Sequence, residues 1–238
     1  SVGGNLVVTA TTGNITQGVT LGVTGTSTLT TLATDATITL GTSTNALGGN
    51  VVLTTSGTAG HVTIDNGTTA LGVQGTVSGD LALTSGGAIF DSASLSVTGT
   101  TTVTTDVADT TITLDTLAST GAVLLTTSGT AGNVVIDNGT TGLDLGASTI
   151  SGTLSATSGA AAGIVDSGNV AVSGDVTLTT DANNGVINLG TLQQSGGDLI
   201  LTTNGTGDAT VVNNAAIDLG ASNVGGALSA TASAGTIT

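Results

Sequence analysis

The side chains that could perform acid–base chemistry are few and recur along the chain. His61 is the only histidine, and all 15 acidic residues are aspartate. In two later copies of the surrounding sequence, the counterparts of His61 are Asn133 and Ala209. A histidine that other copies replace with Asn and Ala is typical of a surface substitution within a repeat. We therefore expect neither a catalyst nor a ligand at His61.

Two acidic segments, Asp65-Asn66-Gly67 and Asp137-Asn138-Gly139, offer oxygen ligands of the type that calcium prefers. Asp65 and Asp137 are therefore weak calcium candidates. The same residues also favour turns, because Asp accepts nearby backbone N–H groups and Asn-Gly adopts positive φ. We favour the turn, since neither an EF-hand spacing nor a Gly-Gly-x-Gly-x-Asp array is present. No metal or other cofactor is expected.

Paired carboxylates could in principle catalyse glycoside hydrolysis. The candidates here are repeat equivalents of one another, Asp91 with Asp166 and Asp144 with Asp218, and such recurrence favours a structural role. The chain has no Lys or Arg that could bind an acidic sugar or stabilise an oxyanion. We expect no enzymatic activity.

Threonine pairs suggest a different surface chemistry. A flat array of threonines on one face could bind ice or carbohydrate, which is the alternative function that the sequence leaves open. Threonine is also a strand former whose hydroxyl groups bridge neighbouring strands. Because the pairs fall on several sides of the predicted coil, we favour the structural explanation. The pairs are Thr24 and Thr26, Thr37 and Thr39, and Thr111 and Thr113.

Composition limits both the fold and the partners. The formal net charge is −15 with no cation to offset it, so the chain cannot neutralise nucleic-acid phosphates or anionic lipids. No apolar segment is long enough for a transmembrane helix. Glu, Lys, Arg and Met are absent, whereas Val, Ile and Thr are abundant and 38% of residues are hydrophobic. These features predict a folded, all-β chain.

An internal repeat organises the sequence. Residues 49–69 and 121–141 differ at four positions only, and a third copy starts at Gly197. Leu21 corresponds to Leu95, so the repeat unit is about 74 residues long. Repetition of this kind predicts an array of small units. We divide the single solenoid, 1–238, into approximate units 1–20 (partial), 21–94, 95–168 and 169–238.

A shorter pattern inside each unit predicts the coils of a parallel β-solenoid. A hydrophobic residue followed by Thr recurs at two intervals of about 22 residues and then one of about 30. This spacing predicts three coils per unit and about ten coils in all, with a bulging loop or an extra side on the longest coil. We expect the recurring hydrophobic residues to form one inward column. The expected column consists of Leu29, Leu53, Leu83, Val103, Leu125, Leu178 and Leu201, and Ala156 occupies the same place in the motif.

The order of these motifs resembles the repeat regions of filamentous-haemagglutinin-like bacterial exoproteins. The resemblance rests on Leu145–Thr157, Leu95–Thr105 and Thr111–Leu114, and similar motifs cover the whole chain. It implies a right-handed β-helical shaft that is exported by two-partner secretion to the bacterial surface, with a role in adhesion or biofilm and a possible host or surface ligand. It implies no catalytic residue. The Asn-Pro motif of that family's secretion domain is absent, since the chain has no Pro.

The two ends of the sequence occupy the same phase of the repeat. Gly13–Thr16 and Gly235–Thr238 have the same motif and lie three whole repeat units apart. Terminal repeats of a free-standing solenoid need a polar cap, and neither end has one. We expect the segment either to continue in a longer chain or to stack end to end with another copy.

Overall fold

The computed structural model describes residues 1–238 as one parallel β-solenoid without a helix. Every strand pairing is parallel, and most strands pair with a strand of the coil before and a strand of the coil after, whereas end strands such as β1 and β26 pair on one side only. No helix that could cross a membrane is present. The strands are β1 (Leu6–Ala10), β2 (Ile15–Thr16), β3 (Gly22–Val23), β4 (Ser27–Thr31), β5 (Ile38–Leu40), β6 (Ala46–Leu47), β7 (Val51–Thr54), β8 (Val62–Asp65), β9 (Leu71–Val77), β10 (Leu81–Ser85), β11 (Ile89–Val97), β12 (Thr101–Thr105), β13 (Ile112–Leu114), β14 (Leu117–Ser119), β15 (Val123–Thr126), β16 (Val134–Asp137), β17 (Leu143–Leu145), β18 (Ser148–Ile150), β19 (Leu154–Ser158), β20 (Ile164–Asp166), β21 (Val170–Val172), β22 (Val176–Asn183), β23 (Ile187–Gln194), β24 (Leu199–Asn204), β25 (Ala209–Asn213) and β26 (Leu228–Ala232).

Inward and outward residues alternate along the strands, as the sequence pattern predicts. In β10 the side chains of Leu81, Leu83 and Ser85 are buried, whereas those of Ala82 and Thr84 face outward. Buried aliphatic side chains from successive coils form a single core cluster that runs from Ile15 to Ile217. Because one coil buries little apolar surface alone, its stability depends on the coils stacked on either side.

The coils are more uniform than the sequence spacing suggests. The closest register partners in sequence are Leu71 and Ile89 (89 − 71 = 18), and among the most distant are Ile38 and Val62 (62 − 38 = 24). No coil is as long as the third interval of the sequence pattern. The long third coil, with its expected bulging loop or extra side, is absent.

The sequence spacing differs from the coil length because each repeat begins one face further around the solenoid than the repeat before it. β15 is the sequence copy of β7, yet it stacks through β12 and β10 on β8, the strand that follows β7. β24 is the next copy, and it stacks through β22 and β19 on β16, the strand that follows β15. A given motif therefore lies on a different face in each of the three repeats.

The expected single inward column is accordingly wrong. All its members are buried, but they belong to three separate columns. Leu53 stacks on Leu29 and is followed by Gly75, not by Leu83. The other two columns are Leu83–Val103–Leu125 and Ala156–Leu178–Leu201.

The repeat length explains this arrangement. From β7 to β15 the chain forms ten strand segments, since β9 and β11 each contribute a segment to two neighbouring columns. With three segments per coil, the repeat contains the expected three coils and one further strand. The interval of about 30 residues is one coil of about 22 plus that extra strand.

Candidate functional site: the coil junctions

Asp, Asn and His side chains form hydrogen bonds between coils at the corners, where one strand ends and the next begins. The commonest contact involves the residue immediately before a strand. Its side-chain acceptor binds the backbone N–H of the corresponding residue in the next coil, at 2.7–3.0 Å. These contacts satisfy corner N–H groups that the strand pairing leaves free. The pairs are Asn5–Thr26, Asn14–Thr37, His61–Asp80, Asp80–Thr100, Asn133–Thr153, Asp175–Asp198 and Asp208–Ala227.

His61 belongs to this set of acceptors. Its Nδ1 accepts the Asp80 N–H at 2.9 Å and lies 3.3 Å from the Asp80 carboxylate. Asn133 performs the same task in the second repeat, and Asp208 performs it in the third. The third counterpart of His61 is therefore Asp208, one residue before the Ala209 that the sequence alignment assigned. An imidazole, an amide and a carboxylate are interchangeable here because each supplies one acceptor.

A second junction pairs a left-handed Asx residue with a left-handed glycine of the next coil. Asp35 and Asp109 have φ of 61° and 63°, a conformation that Asp and Asn tolerate better than most residues. The Asp35 carboxylate accepts the N–H groups of Thr58 and Ala59 at 2.7 and 2.8 Å, directly beside Gly57. A side chain at Gly57 would collide with this carboxylate, so glycine is required for the close approach as well as for its φ of 95°.

The third repeat has the same junction with an uncharged side chain. Asn184 has φ of 63°, and its Oδ1 accepts the Thr206 N–H at 2.8 Å. In the charged versions, hydrogen bonds from Ala59 and Thr58 lower the pKa of Asp35, and bonds from Thr130 and Ala131 lower the pKa of Asp109. The carboxylate is favoured by donors that bind its charged form.

A third junction contains a fully buried asparagine that replaces a strand residue. Asn138 Oδ1 accepts the Ser119 N–H at 2.7 Å, and its amide donates to the Ser119 carbonyl at 2.9 Å. The same amide donates to the Gly142 carbonyl at 2.8 Å. Asn66 binds the backbone N–H and carbonyl of Leu47 in the same way, and Asn213 binds those of Gln194. The side-chain amide thus forms the two hydrogen bonds of a missing backbone peptide.

Asp65 and Asp137 lie directly before two of these buried asparagines. Asp65 Oδ1 accepts the Gly67 N–H at 3.0 Å, and Asp137 Oδ1 accepts the Gly139 N–H at 2.8 Å. Both glycines have φ of 55°. Each aspartate therefore closes its own turn, and the chain contains no group of three His, Cys, Asp or Glu residues that could hold a metal ion.

Asp91 and Asp166 also bind the next coil. Asp91 accepts the N–H groups of Asp115 and Thr116 at 3.0 and 2.9 Å, and Asp166 accepts those of Gly190 and Thr191 at 2.8 and 2.7 Å. Burial raises the pKa of Asp91, and the hydrogen bonds from Thr116 and Asp115 oppose this shift. Both oxygens of each carboxylate are occupied by backbone groups.

The other pair of acidic equivalents is less regular. Asp218 Oδ1 lies 3.3 Å from the Thr238 hydroxyl, whereas one buried oxygen of Asp144 has no hydrogen-bond partner. These two residues do not repeat a common contact.

The outward threonines form short columns on more than one face. Thr39 lies on β5 and Thr113 on β13, which belong to different sheets. One column begins with Thr16, Thr39 and Thr63, continues with Ala82, and is interrupted further along by Leu124. A parallel column keeps threonine over four coils, at positions 84, 104, 126 and 149.

Sequence reasoning missed the buried asparagines as a class. Their signal is present: an asparagine follows a strand of alternating hydrophobic residues at the same place in every repeat, at positions 66, 138 and 213. A turn assignment accounts for Asn-Gly in the first two copies but not for Asn213-Asn214 in the third. The common feature is the side-chain amide.

The chain is similar to a known family of repeats. A family model described as "Repeats of unknown function (DUF5649)" matches residues 1–54, 59–127, 131–191 and 206–238, which together make up most of the chain. No curated protein and no solved structure matches it.

Proposed function

The chain belongs to the family of DUF5649 repeats, and we propose that it is the structural shaft of an extracellular bacterial adhesin or surface filament. Such a shaft gives reach from the cell and contributes to surface attachment or biofilm assembly. The proposal keeps the filamentous-haemagglutinin-like resemblance and two-partner secretion as its route to the surface. It assigns no reaction and no cofactor to the chain.

The observation that carries the proposal is the single continuous core in which each coil contacts only its neighbours. About ten coils at roughly 4.8 Å per rung make a rod on the order of 50 Å long. Each added repeat lengthens such a rod without altering the coils already formed.

The engagement of the aspartates also supports a structural role. Asp35, Asp109, Asp91 and Asp166 all bind backbone N–H groups of the following coil. The chain has a net charge of −15 and no Lys or Arg, so rods that lie side by side repel one another.

The proposal includes further coils as partners. At the first coil, Leu6, Val8, Ile15 and Leu21 line an apolar cavity of about 310 Å³. A further coil stacked there, from a longer chain or from a second copy, would cover this apolar surface and pair the free edge of β1.

The proposal is tested on intact cells of the source organism. Antibodies against the chain should label the cell surface. Deletion of one unit, 21–94, should shorten the shaft by roughly 16 Å, the rise of three and one third coils, and bring the label closer to the cell by the same distance. Labelling only inside the cell would contradict the proposal. A thermal-hysteresis assay on the purified protein tests the ice-binding alternative, for which the shaft proposal expects no activity.

A further inference from the structure

A shallow groove on the third repeat gathers three side-chain amides that form no hydrogen bond within the chain. Asn169, Gln193 and Asn214 line this groove, which has a volume of about 190 Å³. The adjacent Gln194 behaves differently, since the two N–H groups of its amide are surrounded by four backbone carbonyls at 3.1–3.3 Å. The rest of the lining is Gly190, Thr191, Leu192, Val212 and Ser233.

The groove is specific to the third repeat because its amides replace small residues there. Gln193 directly precedes Gln194, whose backbone binds the buried Asn213. In the other two repeats Ala46 and Ala118 occupy this position, directly before the residues that bind Asn66 and Asn138. Pairing confirms the equivalence, because Ala118 lies opposite Ser96 just as Gln193 lies opposite Ala171. The complete sets are Thr20, Ala46 and Gly67; Ser94, Ala118 and Gly139; and Asn169, Gln193 and Asn214.

The lining determines which ligand chemistry fits. Each amide offers two N–H donors and one carbonyl acceptor and carries no charge. The chain contains no Lys or Arg and has a net charge of −15, so an anionic ligand would be repelled. The only aromatic residue, Phe90, does not line the groove, so stacking on an aromatic face is not available. A compact ligand with several hydroxyl groups, each of which donates and accepts, matches this set.

The size of the groove sets the size of the ligand. The groove has a volume of about 190 Å³. A ring of six heavy atoms with its hydroxyl groups displaces a comparable volume. The Thr191 side chain is held at the edge of the groove, since its hydroxyl lies 2.8 Å from the Asp166 carboxylate and 2.7 Å from the Gly168 carbonyl and donates to one of these two acceptors.

We propose that this groove binds a neutral, polyhydroxylated ligand of about one sugar ring. The site is independent of the shaft proposal: a shaft can lack a sugar site, and a sugar site can lie on a protein that is not a shaft. The missing aromatic platform predicts weak binding of a single ring.

The test uses the whole 238-residue protein labelled with ¹⁵N and three neutral probes: glucose, galactose and N-acetylglucosamine. We expect at least one sugar to shift the side-chain amide signals of Asn169, Gln193 and Asn214 saturably. Glucuronate, which has a carboxylate, should not shift them. Saturable shifts confined to other residues, or equal shifts with glucuronate, would overturn the assignment.

Two variants make the test specific. Asn169→Ser with Gln193→Ala restores the residues of the second repeat, so the fold should keep its melting temperature while affinity for the responding sugar falls at least tenfold. Asn188→Ser removes an exposed amide on the same strand that lies outside the groove, and it should leave affinity unchanged. The site is refuted if no probe gives saturable shifts, or if the double variant binds as well as the original protein.

Discussion

The first and second repeats contain nearly the same sequence on two different faces of one rod. Residues 49–69 and 121–141 differ at four positions, and both contain the Asx turn, the left-handed glycine and the buried asparagine. Their neighbours nevertheless differ. β7 lies between β4 and β9, whereas β15 lies between β12 and β18.

The comparison shows why the contacts of a repeat do not depend on the face of the rod that it occupies. The junctions depend on backbone N–H and carbonyl groups, which every coil presents whatever its sequence. The core requires only aliphatic residues at alternate positions, so Leu53 can pack between Leu29 and Gly75 while Leu125 packs on Val103. A repeat can therefore shift by one face without losing its interactions.

The largest expected effect comes from placing a charge in the core, at the equivalent position of the first or the second repeat. Leu53→Asp and Leu125→Asp should each destabilise the protein by about 3–5 kcal/mol, because an unpaired carboxylate would enter a column that excludes water. Urea denaturation of the two variants measures the loss. Leu125→Val, which repeats the residue at position 103, should cost only about 1 kcal/mol. An unchanged melting temperature for Leu125→Asp would contradict the assignment of this residue to the core.

The buried asparagines sharpen the comparison. Asn66→Ala and Asn138→Ala should each cost about 2–3 kcal/mol, because each leaves one backbone N–H and one carbonyl of the neighbouring coil without partners. The two losses should agree within about 0.5 kcal/mol, since the lost bonds are the same on both faces. A large loss in one variant only would mean that the faces are not equivalent.

The comparison with the third repeat predicts a dependence on pH. The pKa values of Asp35 and Asp109 are lowered in the folded state, so their stabilising effect is present above the ordinary value of 3.8 and is lost as the pH falls through the lowered values. Asn184 performs the same task without titrating. Asp35→Asn with Asp109→Asn should therefore show a smaller drop in melting temperature between about pH 5 and about pH 2. Parallel curves for the variant and the original protein would refute this role.

The smallest effect is expected at His61. His61→Ala should change stability by no more than about 0.5 kcal/mol, the usual range for surface substitutions. His61→Asn, which copies Asn133, should be closer still to the original protein because it keeps an acceptor for the Asp80 N–H. Loss of a bound metal or of an activity in either variant would overturn the structural interpretation of this residue.

The sequence was sufficient for the fold class because composition and repetition both point to stacked parallel strands. Alternation correctly placed Leu83, Leu125 and Leu178 in the core. Their grouping into columns could not be read from spacing, because an extra strand in each repeat looks the same in sequence as a longer coil. The role of Asn138 was also hidden, since a side chain that replaces a peptide group has no signature in hydrophobic periodicity.

The central claim is that each sequence repeat advances by one face of a coil of about 22 residues, and disulfide formation tests it directly. The chain has no cysteine, so engineered pairs report without background. Val52 and Gln74 are register partners, about 4.8 Å apart across parallel strands and within disulfide range. Val52→Cys with Gln74→Cys should oxidise readily to an intramolecular disulfide, whereas Val52→Cys with Ala82→Cys should remain reduced. Efficient bridging between positions 52 and 82, with none between 52 and 74, would show that the third coil has about 30 residues and would contradict the account.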